Sequence, residues 1–248
     1  METLLPELYQ EIFQYLSIRY VKSRLSLVNK HFDRYIEFNI FFTKINLHNF
    51  YNMVDDNLSK LAKLTSLKLG FNENITDRGI KSLTNLTKLN IGFNDLITDY
   101  GIVHLTNLTD FNLGNDITDE GIKYLTKLKC LTLNGVQNIT DRGVKNLINL
   151  TSLDLSCNKV INDQGIKHLN LISFSLGYDE NITDRGLKSL ANLTKLNLDS
   201  NENISDLSIR NLTNLTSFNL GYNNRITDYV IKDLNLLSLD LGTNNENI

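Results

Sequence analysis

A leucine returns along this chain at a nearly fixed interval. It stands at Leu64, Leu86, Leu108, Leu128, Leu150, Leu171, Leu193, Leu215 and Leu236, with spacings of 22, 22, 20, 22, 21, 22, 22 and 21 residues. Recurrence at such a period marks stacked units, each too small to bury an apolar face alone. Phe42 opens an earlier, degenerate copy with Ile45, Leu47, Met53, Asp55, Leu58 and Leu61. Residues 42–248 therefore read as nine complete units of about 22 residues and a partial one from Leu236 to Ile248. The chain holds 44 Leu and 35 Asn among 248 residues and a single Pro, where average usage would give about 12 Pro.

The unit is spelled Leu64-Thr-Ser-Leu67-Lys-Leu69-Gly-Phe-Asn72-Glu-Asn-Ile75-Thr76-Asp77-Arg-Gly79-Ile80-Lys-Ser-Leu83. Alternation at its start makes a short strand, with Leu67 and Leu69 turned inward and Ser66, Lys68 and Gly70 outward. Asn72, repeated as Asn94, Asn158, Asn201, Asn223 and Asn244, can both donate to and accept from backbone where the chain turns inward. Thr-Asp reads as a helix start, and Ile80 and Leu83 fall on one helical face. Stacked, the strands form a parallel sheet with a spacing of about 4.8 Å, while helices are about 10 Å wide. The stack is expected to bend, with strands on the concave side.

The recurring L-x-x-L-x-L-x-x-N resembles the leucine-rich repeat family over residues 42–248. The Ile-Thr-Asp-x-Gly-Ile tail is similar to the cysteine-containing subclass found in F-box proteins, although these units are shorter than in that subclass and mostly carry Asn where it has Cys. The resemblance implies an α/β solenoid with parallel β-strands on the concave face and short helices on the convex face.

Residues 1–41 show no repeat. Pro6 suits the first turn of a helix. Leu8, Ile12 and Leu16 make one stripe, and Tyr9, Phe13 and Tyr15 a second apolar side. Two more helices are expected over 18–28, with Val21, Leu25 and Val28 on one face, and over 29–39, with Phe32, Tyr35 and Ile36. A first helix apolar nearly all round should bury one side within and another against a partner. Leu4-Leu5-Pro6-Glu7-Leu8-Tyr9-Gln10-Glu11-Ile12-Phe13-Gln14-Tyr15-Leu16, continuing to Val28-Asn29-Lys30-His31-Phe32, resembles an F-box, L-P-x-E-L-x-x-x-I-F-x-Y-L followed by V-C-K-x-W. Leu5 takes the usual Pro, Asn29 the Cys and Phe32 the Trp; the apolar pattern survives. The resemblance implies a three-helix F-box that docks on the Skp-type adaptor of a cullin–RING ubiquitin ligase through Leu4, Leu5, Pro6, Leu8, Ile12 and Leu16, while the repeats hold the protein to be ubiquitinated. The alternative is a protein-interaction scaffold whose N-terminal helices only cap the solenoid.

Chemistry of other kinds finds no footing in the sequence. Among the motifs sought, G-x-S-x-G, P-loop, G-x-G-x-x-G and H-E-x-x-H are absent, and the four histidines lie in different units. Cys130 and Cys157 make neither a disulfide framework nor a zinc site and read as ordinary small residues. We expect no catalytic residue, cofactor or metal. An Asp recurs in every complete unit (Asp55, Asp77, Asp99, Asp119, Asp141, Asp163, Asp184, Asp206 and Asp228). Carboxylates stacked in a line do not converge on an ion, and each is expected to cap or start a helix near its positive dipole end. The basic row Lys81, Lys123, Lys145, Lys167, Lys188, Arg210 and Lys232 reads as solvated surface.

A net charge of −3 argues against a nucleic-acid partner held by bulk electrostatics, and no apolar run is long enough for a membrane span or a signal peptide. The expected location is intracellular, cytoplasmic or nuclear, in a host cell if the chain is viral. Eleven Asn-x-Ser/Thr sequons arise mostly from the repeat itself and are expected to be unmodified. The target protein is expected on the outward strand positions Lys68, Asn90, Asn112, Thr132, Asp154, Ser175, Asn197, Asn219 and Asp240, and on the adjoining edge at Phe71, Phe93, Tyr178 and Tyr222. Glycines at 70, 92, 114, 177, 221 and 242 would let another chain approach that edge closely.

Overall fold

A computed structural model describes residues 43–47, 53–92, 94–179 and 181–242. Ten strands form one parallel sheet in chain order: β1 (Lys44–Asn46), β2 (Ser66–Lys68), β3 (Lys88–Asn90), β4 (Asp110–Asn112), β5 (Cys130–Thr132), β6 (Ser152–Asp154), β7 (Ser173–Ser175), β8 (Lys195–Asn197), β9 (Ser217–Asn219) and β10 (Ser238–Asp240). Between successive strands, among the described residues, stands one turn of helix that begins at the recurring Asp, from Asp55–Leu58 and Asp77–Ile80 to Asp228–Ile231. None of these helices is long and apolar enough to cross a membrane. The three helices expected over residues 1–41, with Leu4, Leu5, Pro6, Leu8, Ile12 and Leu16, lie outside the described residues.

A four-residue helix cannot stand alone, because nucleation costs more than one turn returns. Packing holds it. In the unit that starts at Leu64, the side chains of Leu64, Leu67, Leu69, Ile75, Ile80 and Leu83 are all at most 1% exposed. Leu83 belongs to the turn after the helix, where its N–H donates to the Ile80 carbonyl at 2.9 Å. The same set repeats along the stack and makes a single continuous core. Each such side chain contributes roughly 1.5–3 kcal/mol by leaving water.

Polar ladders join one coil to the next. In the Asn row, Asn94 donates its amide to the carbonyls of Asn72 and Ile75 in the preceding coil and accepts from its own Leu96 N–H. Asn158 donates to Val136 O at 2.6 Å and accepts from the N–H groups of Val160 and Ile161, both at 2.9 Å. Asn201 and Asn223 repeat the pattern. Asn158 is fully buried, so Asn158→Ala should leave backbone groups unpaired and cost about 1–3 kcal/mol. A melt by circular dichroism checks this, and a change within about 0.5 kcal/mol would contradict the role.

The Asp row does more than start helices. Thr98 caps its own helix, accepting from Tyr100 N–H, and its backbone N–H and hydroxyl donate to the two oxygens of Asp77 in the previous coil, both at 2.7 Å. Thr118, Thr140, Thr183 and Thr227 bond the preceding Asp in the same way. The Gly three residues after Thr98, Thr118, Thr140 and Thr183 makes room, whereas Val230 follows Thr227: a Cβ on Gly143 would stand 2.3 Å from Asp119 Oδ1. In one coil Ser208 replaces this Gly, and its hydroxyl donates to Asp184 Oδ1 at 2.6 Å. Gly143→Ala should therefore cost about 1–3 kcal/mol through overpacking, and Gly143→Ser less, because its hydroxyl can bond Asp119. Equal loss in both variants, measured by thermal denaturation, would contradict the ladder.

Burial pushes the Asp184 carboxyl upward, but hydrogen bonds from the Ser205 hydroxyl and amide and the Ser208 hydroxyl, with the charge of Arg225, outweigh it and hold the group below its ordinary value. A lowered folded value means that its stabilising contribution is complete above the unfolded carboxyl range, near pH 3.9, and is lost as pH falls through the folded value. Asp184→Asn should flatten the acid limb of the stability curve below about pH 4; an unchanged acid limb would contradict this.

Candidate interaction surface

The strand register brings all nine outward positions of the sequence reading together. Lys68, Asn90, Asn112, Thr132, Asp154, Ser175, Asn197, Asn219 and Asp240 are paired neighbours in one uninterrupted row. Lys68 and Asp240 are exposed and the others half-buried. Part of their polar capacity shapes the turn that follows. Asp154, Asn197, Asn219 and Asp240 each accept the N–H two residues on, at 2.9 to 3.0 Å. Asn197 also donates to Ser175, whose hydroxyl meets Ser156 at 2.9 Å. A parallel row two residues earlier carries Ser66, Lys88, Asp110, Cys130, Ser152, Ser173, Lys195 and Ser217. Its Lys88–Asp110 ion pair, at 3.1 Å, is well exposed and adds little to stability. The face is small-grained, polar and of mixed charge, suited to a hydrated protein contact.

Aromatic rings stand on the adjoining edge. Phe71 is 49% exposed, Tyr178 56% and Tyr222 45%; Phe93 lies outside the described residues. The chain leaves the sheet here through left-handed backbone: Gly70, Gly92, Gly221 and Gly242 have φ between 48° and 65°, and Cys157, Tyr178 and Ser200 all have φ 57°. The three non-glycine positions carry no signal in the sequence that distinguishes them.

Four of the six glycines do not open this edge to a partner. Gly70, Gly114, Gly177 and Gly221 are buried, and a Cβ on Gly114 would lie 3.1 Å from Asn94 O and 3.2 Å from Gly92 O. The backbone that approaches Gly114 and Gly221 is that of the preceding coil, and the backbone nearest Gly177 is Asp199 O of the following one. Gly70, expected outward, is buried.

Other candidate chemistry is accounted for locally. Burial, with the charge of Asp110, pushes the Cys130 thiol up against the opposing pull of Lys88 and Lys129, the reverse of an activated nucleophile. No group of three or more His, Cys, Asp or Glu among the described residues could hold a metal. In the basic row, Lys123 pairs with Glu120 at 3.3 Å and Lys232 lies over the Tyr229 ring at 4.7 Å. Several sequon asparagines are engaged between coils: Asn85, Asn107, Asn149 and Asn214 donate to carbonyls of the preceding coil at 2.8 to 3.1 Å. Next to them runs a threonine ladder that the sequence reading missed, in which Thr65, Thr87 and Thr109 donate to the carbonyls of Thr43, Thr65 and Thr87. Its signal was the recurrent Thr after the first Leu of the unit.

Five segments, residues 60–83, 82–103, 104–126, 146–169 and 211–228, match the family described as Leucine Rich repeat. These are leucine-rich repeats. The solenoid is similar to an internalin of Listeria monocytogenes, inlF, at 32% identity over 76% of this chain and 63% of that one, with a TM-score of 0.59. A second internalin of that organism, inlC2, is 28% identical over 76% of this chain and 84% of its own length, with a TM-score of 0.52. A chain of the yeast Rad7–Elc1 complex shares the fold at 23% identity over 75% of this chain and 58% of that one, with a TM-score of 0.61. The chain thus spans less than two thirds of inlF and of that yeast chain. Comparison with curated proteins gives no match. The leucine-rich repeat solenoid is a protein-interaction fold, and here it offers one polar strand face with an aromatic edge.

Proposed function

We propose that this chain is the substrate-recognition subunit of a Skp–cullin–F-box ubiquitin ligase. Residues 1–41 dock on a Skp-type adaptor through Leu4, Leu5, Pro6, Leu8, Ile12 and Leu16. The strand row and its aromatic edge hold a target protein. The observation that carries the reading is the F-box-like spelling from Leu4 to Leu16, placed directly ahead of leucine-rich repeats. The chain performs no bond chemistry. It raises the local concentration of the target beside the enzymes that transfer ubiquitin, an effect of tethering, and it does so inside the cell. Support for the strand row as the target face comes from its free side: core fills the inner side of the sheet, and the helix turns bind one another through the Asp ladder.

The test is to mix the purified full chain with a Skp-type adaptor and its cullin and to measure mass by light scattering during gel filtration. A stoichiometric complex is the expected result. A chain that elutes alone would overturn the ligase reading and favour a scaffold whose N-terminal helices cap the solenoid, as stacked repeats require at their ends.

A further inference from the structure

We propose that Tyr178, Asp199, Ser200 and Tyr222 form a receptor for the guanidinium group of an arginine on the bound target. This rests on the reading of the strand face and its edge as the target-binding surface, and it names the side chain that the edge takes.

Three successive coils build the receptor. β7, β8 and β9 are consecutive parallel strands, so the loops that leave them lie side by side at about 4.8 Å. The second residue after the last buried leucine of each coil is Tyr178, Ser200 or Tyr222. A large ring, a small hydroxyl and a large ring alternate, and the two tyrosine positions are roughly 10 Å apart. Tyr178 is 56% and Tyr222 45% exposed, with Ser200 half-buried between them. Tyr178 itself has φ 57°, a region that residues with a side chain seldom adopt. A ring stands there although glycine would enter that conformation more easily.

The coil between the two tyrosines carries a charge. Asp199 is half-buried. Its Oδ1 accepts from the Ser200 hydroxyl at 3.1 Å and lies 2.1 Å from where a Cβ on Gly221 would be. The carboxylate therefore rests against the backbone just before Tyr222, in space that only glycine leaves open. The Asp199 N–H donates to Asn197 Oδ1 at 3.0 Å within its own coil, and its carbonyl accepts from Tyr178 N–H at 3.1 Å, which ties the residue to the Tyr178 side of the slot. Among the described residues the ion pairs are Arg78–Asp56, Lys88–Asp110 and Lys123–Glu120, and Asp199 is in none. Across 177–181, 199–203 and 221–225 the sequence carries Asp179, Glu180, Asp199 and Glu202 against Arg225 alone. The local field is negative.

A carboxylate on the coil between two exposed tyrosines selects a cation. A cation bound at the middle coil has a tyrosine on the coil to either side, and ring faces attract a cation that comes within about 6 Å of their centres. Guanidinium suits the slot better than ammonium. It is planar, stacks on ring faces, forks onto a carboxylate and is more weakly hydrated, so it loses less on entry. A neutral side chain would gain ring contact and leave Asp199 covered without compensation.

The probe is a blocked Gly-Arg-Gly peptide, titrated into the full chain with labelled tyrosine rings and followed by NMR. Its lysine and citrulline counterparts are the controls. The arginine peptide should shift the Tyr178 and Tyr222 ring signals saturably, the lysine peptide should bind at least about threefold more weakly, and citrulline, which has the shape without the charge, should leave both rings unmoved. Asp199→Asn keeps the shape and should weaken arginine binding at least about tenfold. Tyr178→Asn removes the ring with a residue that tolerates left-handed backbone and should do the same. An equal response to citrulline, or unchanged binding by Asp199→Asn, would overturn the receptor. The wider reading is tested separately by Asn112→Arg, which sets a bulky charge on the strand row away from the slot. Target binding that survives this variant counts against the strand face, whereas failure of the arginine peptide to bind counts against the receptor alone.

Discussion

Leu8→Ala combined with Ile12→Ala is expected to lower the affinity of the full chain for a Skp-type adaptor by at least about 100-fold. Read as a helix, the sequence puts the two residues on one stripe of an N-terminal segment. The proposed docking on the adaptor uses this stripe. Truncating a buried anchor at such an interface costs roughly 2 kcal/mol or more, which is more than tenfold in affinity at each site. Calorimetric titration of adaptor into wild-type and variant chains measures the loss, and a melt of each chain establishes that the solenoid is folded. Unchanged affinity in a folded variant would reject docking through this stripe.

Phe174→Ala is expected to destabilise the solenoid by about 3–5 kcal/mol. Phe174 is the centre of β7, 1% exposed, and lies opposite Leu153 and Leu196 in the neighbouring strands. Most coils place a leucine there; Phe174, like Phe111 and Phe218, fills the core with a larger ring. Its removal leaves a cavity that two flanking coils must share, since each unit touches only its neighbours. The melting temperature should fall by the order of 10 °C. A fall of less than about 2 °C would mean that the coils close over the gap, and would contradict a core packed to this density.

Much of the fold is legible in the sequence because period and burial coincide. Leu67, Leu69, Ile75 and Ile80 recur at fixed offsets and are buried at fixed offsets. The Asn row is legible for a related reason: an amide at a fixed place beside apolar residues needs both backbone donors and acceptors, and Asn158 finds both. The destination of the Asp carboxylates is not legible. Asp77 is bound by Thr98, 21 residues later, and nothing local to either residue reveals that the coils stack with this offset. The joint recurrence of Thr, Asp and Gly in one tail is the clue, since a carboxylate, a hydroxyl and a missing side chain answer one another only across coils.

The surface is legible in part. Alternation placed Lys68 through Asp240 on one row, as the register has them. It misread the glycines, because it assigned their freedom to an approaching partner. The sheet spacing brings the preceding coil so close that Gly114 and Gly221 have no room for a side chain. Nor does alternation reveal that Asp154 and Asn219 already bond the next turn, which leaves the row fewer groups for a partner than its composition suggests.

We propose that one end of this chain holds a ligase adaptor and the strand face holds a target. A single measurement separates the two: quantitative mass spectrometry of proteins captured by the full chain in cells, together with their ubiquitin content. Wild type, Leu8→Ala/Ile12→Ala and Asn112→Arg are compared side by side. The first variant should lose the adaptor and retain target proteins, now without ubiquitin, while the second should retain the adaptor and lose those targets. Retention of the adaptor by the first variant, or joint loss of adaptor and targets by either folded variant, would contradict the proposal.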